Sequence, residues 1–140
     1  MGLVPAIDAI VRVGVQVVLR RQDSLLLVQR ARGYGRGTWC LPGGHLEPGE
    51  TIAECALREL LEETDVQGES ARVIAVTDPL AEANFHMQIG VEVSEWSGEP
   101  RVVDPSECLG VKFFEVSALP REIFPPTNDV LAKVLVGRVY

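Results

Sequence analysis

Glu59, Glu62 and Glu63 stand three and four residues apart. A helix advances about 100° per residue, so with Glu59 at zero Glu62 falls near about −60° and Glu63 near about +40°, and all three carboxylates leave one face. Like charges at these spacings cost a few tenths of a kcal/mol per pair on an isolated helix. Arg58 offsets part of that repulsion, and the natural complement to the rest is a hard divalent cation, which takes oxygen ligands. Metal-assisted phosphate chemistry is the leading reading of such a face. The other is a solvated acidic surface, which any exposed helix rich in glutamate presents; the carboxylates alone leave both open.

The helix that must carry these residues is well specified. Ala56, Leu57, Leu60 and Leu61 fall largely on the side opposite the carboxylates, an apolar stripe for packing. Thr51 and Glu54 have capping-box spacing and Pro48-Gly49 precedes them, which fixes the helix start. Cys55 lies near the acidic face on the wheel and reads as a small packing residue. Upstream, Trp39, Leu41 and Pro42 lead into a Gly43-Gly44 turn, where missing side chains let backbone groups approach a ligand.

The wider spacing resembles the Nudix box. Gly44 is followed after five residues by Glu50, then after seven by Arg58-Glu59, the aliphatic Leu60, Glu62-Glu63, Asp65 and Val66. Eight of these nine fixed positions match across a box of about 44–66. The departure is Asp65, where the family has Gly. That position reads as a left-handed residue just past the helix end, a conformation Asp tolerates better than most residues. Trp39 through Glu47, Asn84-Phe85-His86, Glu107-Cys108 and Leu119-Pro120 through Phe124 look like a MutT-type subgroup acting on nucleoside triphosphates.

The resemblance implies hydrolysis of a diphosphate bond of a nucleoside triphosphate, giving nucleoside monophosphate and pyrophosphate. It implies Mg²⁺, or Mn²⁺ in its place, held by Glu59, Glu62, Glu63 and the Gly43 carbonyl. Arg58 would orient a catalytic carboxylate and Glu50 would support the helix start. Glu62 is the first choice of general base and Glu59 the second. Phe124, Gly44 and Arg30 are the expected substrate contacts; Phe124 would stack on a base or else anchor the last helix, and Arg30, Arg32 and Arg36 bring positive charge near the box or serve as surface arginines. Glu92, Glu95 and Glu107 are unranked candidates for a further acidic ligand. His45 and His86 are not assigned proton transfer. A nucleotide sugar, ADP-ribose or a dinucleotide polyphosphate is the alternative substrate. A nucleotide-binding regulatory module is the alternative of another class, and such modules usually show damaged carboxylates.

With 140 residues the chain is most simply one domain, residues 1–140. Hydrophobic content of 46% with 24% charged residues suits a soluble globular protein. A net charge of −7 argues against binding nucleic-acid polymers, which takes a basic surface, but admits a single nucleotide. Three widely spaced cysteines, Cys40, Cys55 and Cys108, fit a reducing compartment and lack zinc spacing. No apolar run has membrane-span length and no signal-peptide pattern opens the chain, so a cytoplasmic protein is expected. The resemblance adds a homodimer as the common assembly.

Alternation over 11–19 and a second apolar run over 25–29 predict a hairpin turning at Arg21 to Ser24. Further strands are expected over 72–77, 87–93 and 111–116. Thr127 is expected to cap a last helix buried through Val130, Leu131, Val134 and Leu135. This order, without regular β–α alternation, predicts an α+β fold with a mixed sheet between helices. The resemblance implies the same α/β/α sandwich, the Nudix fold.

Overall fold

The structure, a computed structural model, describes residues 10–80 and 86–140. The hairpin forms as its sequence demands. β1 (Arg12–Arg21) turns through Gln22, whose φ is 56°, into β2 (Ser24–Arg30). The two strands pair only at Arg20 with Leu25 and Arg21 with Ser24, and then splay apart. Two short strands fill the wedge: β3 (Trp39–Cys40) pairs with β2, and β4 (Gly43–His45) pairs with β1. The expected Gly43-Gly44 turn is thus a strand. Its glycines are required by contact with β1 and the box helix, since a Cβ on Gly43 would strike the Val15 carbonyl.

The sheet is mixed, in the order β3-β2-β1-β6-β5 with β4 on β1 and β7 on β2. β5 is Gln67–Val76, β6 is His86–Ser97 and β7 is Cys108–Glu115. β1 and β6 run parallel over Arg12–Leu19, which puts Val15, Val17 and Leu19 beside Ile89, Val91 and Val93. One face of this apolar set packs on helix α1 (Ile52–Thr64) through Cys55, Ala56 and Leu60. Across the sheet, Val18, Leu25, Leu27 and Ala75 pack on helix α2 (Pro125–Val134) through Val130, Leu131 and Val134. The result is the α/β/α sandwich.

Helix α1 begins in the expected capping box: Glu54 N–H donates to Thr51 Oγ1 at 3.0 Å, and Thr51 N–H to Glu54 Oε1 at 3.1 Å. It ends on Asp65, left-handed with φ 63° and ψ 18°. Three local expectations are corrected. Leu61 is 47% exposed, because the buried stripe of α1 runs through Cys55, Ala56, Leu60 and Thr64. Thr127 does not cap α2: the helix starts earlier, after Phe124, with prolines at its first positions, where a missing N–H costs no helical bond. Leu135 closes α2 as its C-cap and is 43% exposed. Asn84 and Phe85 lie outside the described residues.

Candidate active site

Residues of the box meet where α1 crosses β4. Arg58 projects from α1 toward the loop before the helix and takes Glu50 by two parallel bonds, Nε to Oε2 at 2.7 Å and Nη2 to Oε1 at 2.8 Å. Its remaining edge donates to Glu59 Oε1 at 2.8 Å and to Glu62 Oε2 at 3.4 Å. The guanidinium holds the Glu50 carboxyl down at about 2. Arg58 therefore ties the start of the helix to two of the three clustered carboxylates.

Glu59 lies against the backbone of β4. A Cβ on Gly44 would fall on the Glu59 carboxylate, so only glycine leaves that space. Burial raises the Glu59 carboxyl from its ordinary value while Arg58 pulls it down. Glu63 sits deeper. Burial pushes its carboxyl up to about 8, and the neighbouring charge of Glu59 adds to the rise. Its Oε1 accepts from Gly43 N–H at 3.3 Å. The bonds on either side, Val17 N–H to Pro42 O and Leu46 N–H to Val13 O, set the alternation of the β1–β4 ladder. Gly43 consequently turns both its N–H and its carbonyl away from β1. Glu62, with a side chain 58% exposed, projects into solvent at the rim.

The clustered carboxylates and the nearby Gly43 carbonyl are hard oxygen donors, which is the chemistry of a Mg²⁺ or Mn²⁺ site. The Gly44 gap beside Glu59 and the Glu63 carboxylate turned to Gly43 fit that group. Among the described residues no three His, Cys, Asp or Glu side chains already converge as a ligand set, since Arg58 draws Glu59 and Glu62 to itself.

A cavity of about 1270 Å³ opens from this acidic end into the wedge between β1 and β2. Arg30 crosses it, with its guanidinium 4.0 Å from the Phe124 ring centre and its Nε donating to Tyr34 O at 3.1 Å. Tyr34 meets Phe124 edge-on at 5.7 Å. Phe124 also anchors α2, because its N–H donates to Trp39 O at 2.8 Å and its carbonyl accepts from Thr127 N–H at 2.9 Å. Both roles weighed for this ring therefore remain structurally available, with one ring face covered by Arg30. His45 and His86 stack at 5.2 Å with Nε2 atoms 3.1 Å apart, and burial lowers the His45 imidazole from its ordinary value. Glu107 lines the cavity and pairs with Arg32 at 2.6 Å. Glu92 is instead held between Arg20 and Arg72.

Sequence reasoning missed Gln16, Gln88 and Thr127 as cavity residues. The alternation of β1 places Gln16 on its polar face, as if solvated, yet Gln16 is 7% exposed and Gln88 9%. Their shared signal is a glutamine in each of two adjacent central strands.

A model described as the NUDIX domain matches residues 10–134. The chain belongs to the NUDIX family. Mouse 8-oxo-dGDP phosphatase NUDT18 (Mus musculus) is 44% identical over 62 residues, which are 44% of this chain and 19% of that protein. The NAD-capped RNA hydrolase NudC of Salmonella agona is 29% identical over 123 residues, 88% of this chain and 46% of that one. The chain thus spans about a fifth to about half the length of these curated relatives. Among solved structures, a MutT NUDIX hydrolase from Burkholderia pseudomallei superposes with a TM-score of 0.81 at 31% identity, covering 88% of this chain and 97% of that one. The Nudix fold expected from the box is the fold observed.

Proposed function

We propose that the chain hydrolyses a diphosphate bond of a nucleoside triphosphate, releasing nucleoside monophosphate and pyrophosphate, with Mg²⁺ or Mn²⁺ as cofactor. The observation that carries this reading is the Glu59–Glu62–Glu63 face set against Gly44 at one end of a nucleotide-sized cavity. A divalent ion held by Glu59, Glu62, Glu63 and the Gly43 carbonyl would neutralise polyphosphate oxygens and acidify water. Glu62, the most exposed of the three and so the freest to meet a water, accepts the proton as that water attacks phosphorus. A new P–O bond forms, the bridging P–O bond breaks, and its electron pair leaves on the departing phosphate group. Arg58 positions Glu59, and Arg30 meets the anionic chain of the substrate. The family and the activities named for the matched relatives support the wider diphosphate-substrate class, so their named substrates belong in the same test.

The test is a panel of nucleoside triphosphates, 8-oxo-dGDP, NAD, ADP-ribose, nucleotide sugars and dinucleotide polyphosphates in oxygen-18 water, with Mg²⁺ and with a chelator. Metal-dependent release of pyrophosphate from triphosphates is expected, and the labelled product identifies the phosphorus attacked. Binding without release across the whole panel would replace the enzyme with a binding module.

A further inference from the structure

A chain of three side chains sets the polarity of the cavity floor. The Pro126 carbonyl can only accept, so the Gln16 amide atom 3.1 Å from it is Nε2. The same nitrogen lies 3.0 Å from the Gln88 amide, and because it can only donate, Gln88 presents Oε1 to it. Gln16 Oε1 is then free to accept from the Thr127 hydroxyl at 2.7 Å, while that hydroxyl accepts from Leu41 N–H at 3.2 Å. Every group in the chain is satisfied except one. Gln88 Nε2, with two N–H bonds, donates to no described residue. No buried side-chain nitrogen or oxygen among the described residues lacks a partner, so this nitrogen is open to the cavity that Gln88 lines. Gly14 makes the arrangement fit, since a Cβ there would lie 2.5 Å from Gln88 Oε1 and 3.0 Å from Nε2.

Gln88 lies on β6, across β1 from the Gly44 strand, and lines the same cavity as Glu59. Gln88 is paired with Gly14 on β1 and linked through Gln16 to Pro126, beside Phe124 and the start of α2. A nucleotide with its phosphates at Glu59 and Gly44 and its base toward Phe124 would bring the base within the part of the cavity that Gln88 lines. We infer that Gln88 is a specificity-determining residue that selects nucleobases carrying a keto oxygen, as in hypoxanthine and uracil, over those carrying an amino group at the same ring position, as in adenine and cytosine. The inference rests on the hydrolase reading for the kind of ligand. Gln16 is held in one orientation by Pro126, Thr127 and Gln88, so the Gln88 amide cannot turn its oxygen to the cavity without leaving Gln16 Nε2 facing a second donor. An amino group therefore meets donor against donor.

The discriminating experiment compares kcat/KM for ITP with ATP and for UTP with CTP. The keto member of each pair is expected to be favoured by about ten-fold or more, as in sites built around one buried hydrogen bond. Gln88→Leu removes the donor and should bring the ratio near one. Gln88→Glu keeps an acceptor toward Gln16 but turns an acceptor into the cavity, and should move the ratio toward ATP. Affinities for IMP and AMP, measured by calorimetry, read the same preference without turnover. Absence of hydrolysis with IMP still bound more tightly would fault the hydrolase reading and uphold Gln88. Equal or inverted values for ITP and ATP in the unmodified chain, a ratio unmoved by both substitutions, or binding of neither monophosphate would overturn the role of Gln88.

Discussion

Arg58 and Glu50 lock the loop before α1 to the middle of the helix through two parallel bonds of 2.7 and 2.8 Å. The pair favours the ionised carboxyl in the folded chain, holding it at about 2 against an ordinary 4.5. Its stabilisation is therefore complete above about pH 4.5 and is lost as the pH falls toward about 2. In urea unfolding, the midpoint of Glu50→Gln should lie below that of the unmodified chain at pH 7, and the gap should close on acidification through this window. A gap that stayed constant to pH 3 would separate the pair from stability.

On the proposed mechanism Glu62 serves turnover and not the fold, since its side chain is 58% exposed and its bond to Arg58 is long at 3.4 Å. Glu62→Gln should lose about 10²- to 10⁴-fold in kcat with Mg²⁺, the usual loss for a positioned base. Its thermal midpoint should match that of the unmodified chain. Near-full activity would remove the assignment, with Glu59 next in line.

Gly44 is held to glycine by Glu59 rather than by its backbone angles. Gly44→Ala places a methyl group on the Glu59 carboxylate and must push it aside. Turnover should drop by about 10²-fold, the scale for a catalytic group displaced by about 1 Å. The far-UV circular dichroism should not change, and titrating Mg²⁺ against thermal midpoint should show weakened metal binding.

Asp65 already occupies the left-handed conformation that glycine favours, and its carboxylate pairs with Arg101 at 3.0 Å on the surface. Asp65→Gly relieves backbone strain but gives up an exposed ion pair and adds freedom to the unfolded chain. The net change in unfolding free energy should stay within about 1 kcal/mol, and kcat should be unaltered. A turnover gain of orders of magnitude would show that the position does more than end the helix.

Much of the machinery was legible because it is local. The capping box, the left-handed Asp65 and the shared face of Glu59, Glu62 and Glu63 all follow from spacing within one helix. The hairpin and the mixed sheet were visible in the same way, through alternation and turn residues. What escaped depends on residues far apart in the chain. Gln16 looks solvated until β6 brings Gln88 beside it and α2 brings Pro126 over it. Thr127 resembles a cap because its hydroxyl is the right chemistry, yet Pro125 and Pro126 start the helix first and leave that hydroxyl to Gln16. Leu61 and Leu135 sit one step of rotation outside faces whose width the periodicity alone does not set.

The splaying of β1 from β2 after two paired positions has a consequence for how such a chain can change over time. Glu59 and its neighbours ride on a helix packed against β1, β4, β5 and β6, whereas Arg30 belongs to β2 and Phe124 is tethered to β3. The two halves join at the hairpin tip and through both cores, Leu26 packing on the α1 side and Leu25 and Leu27 on the α2 side. Changes confined to cavity-facing side chains such as Arg30 and Phe124 would re-tailor what is admitted without touching Glu59 or Gly44. On the proposed reading, one hydrolytic end could thus be refitted for other cargoes by rewriting the walls that carry Arg30, Phe124 and Gln88.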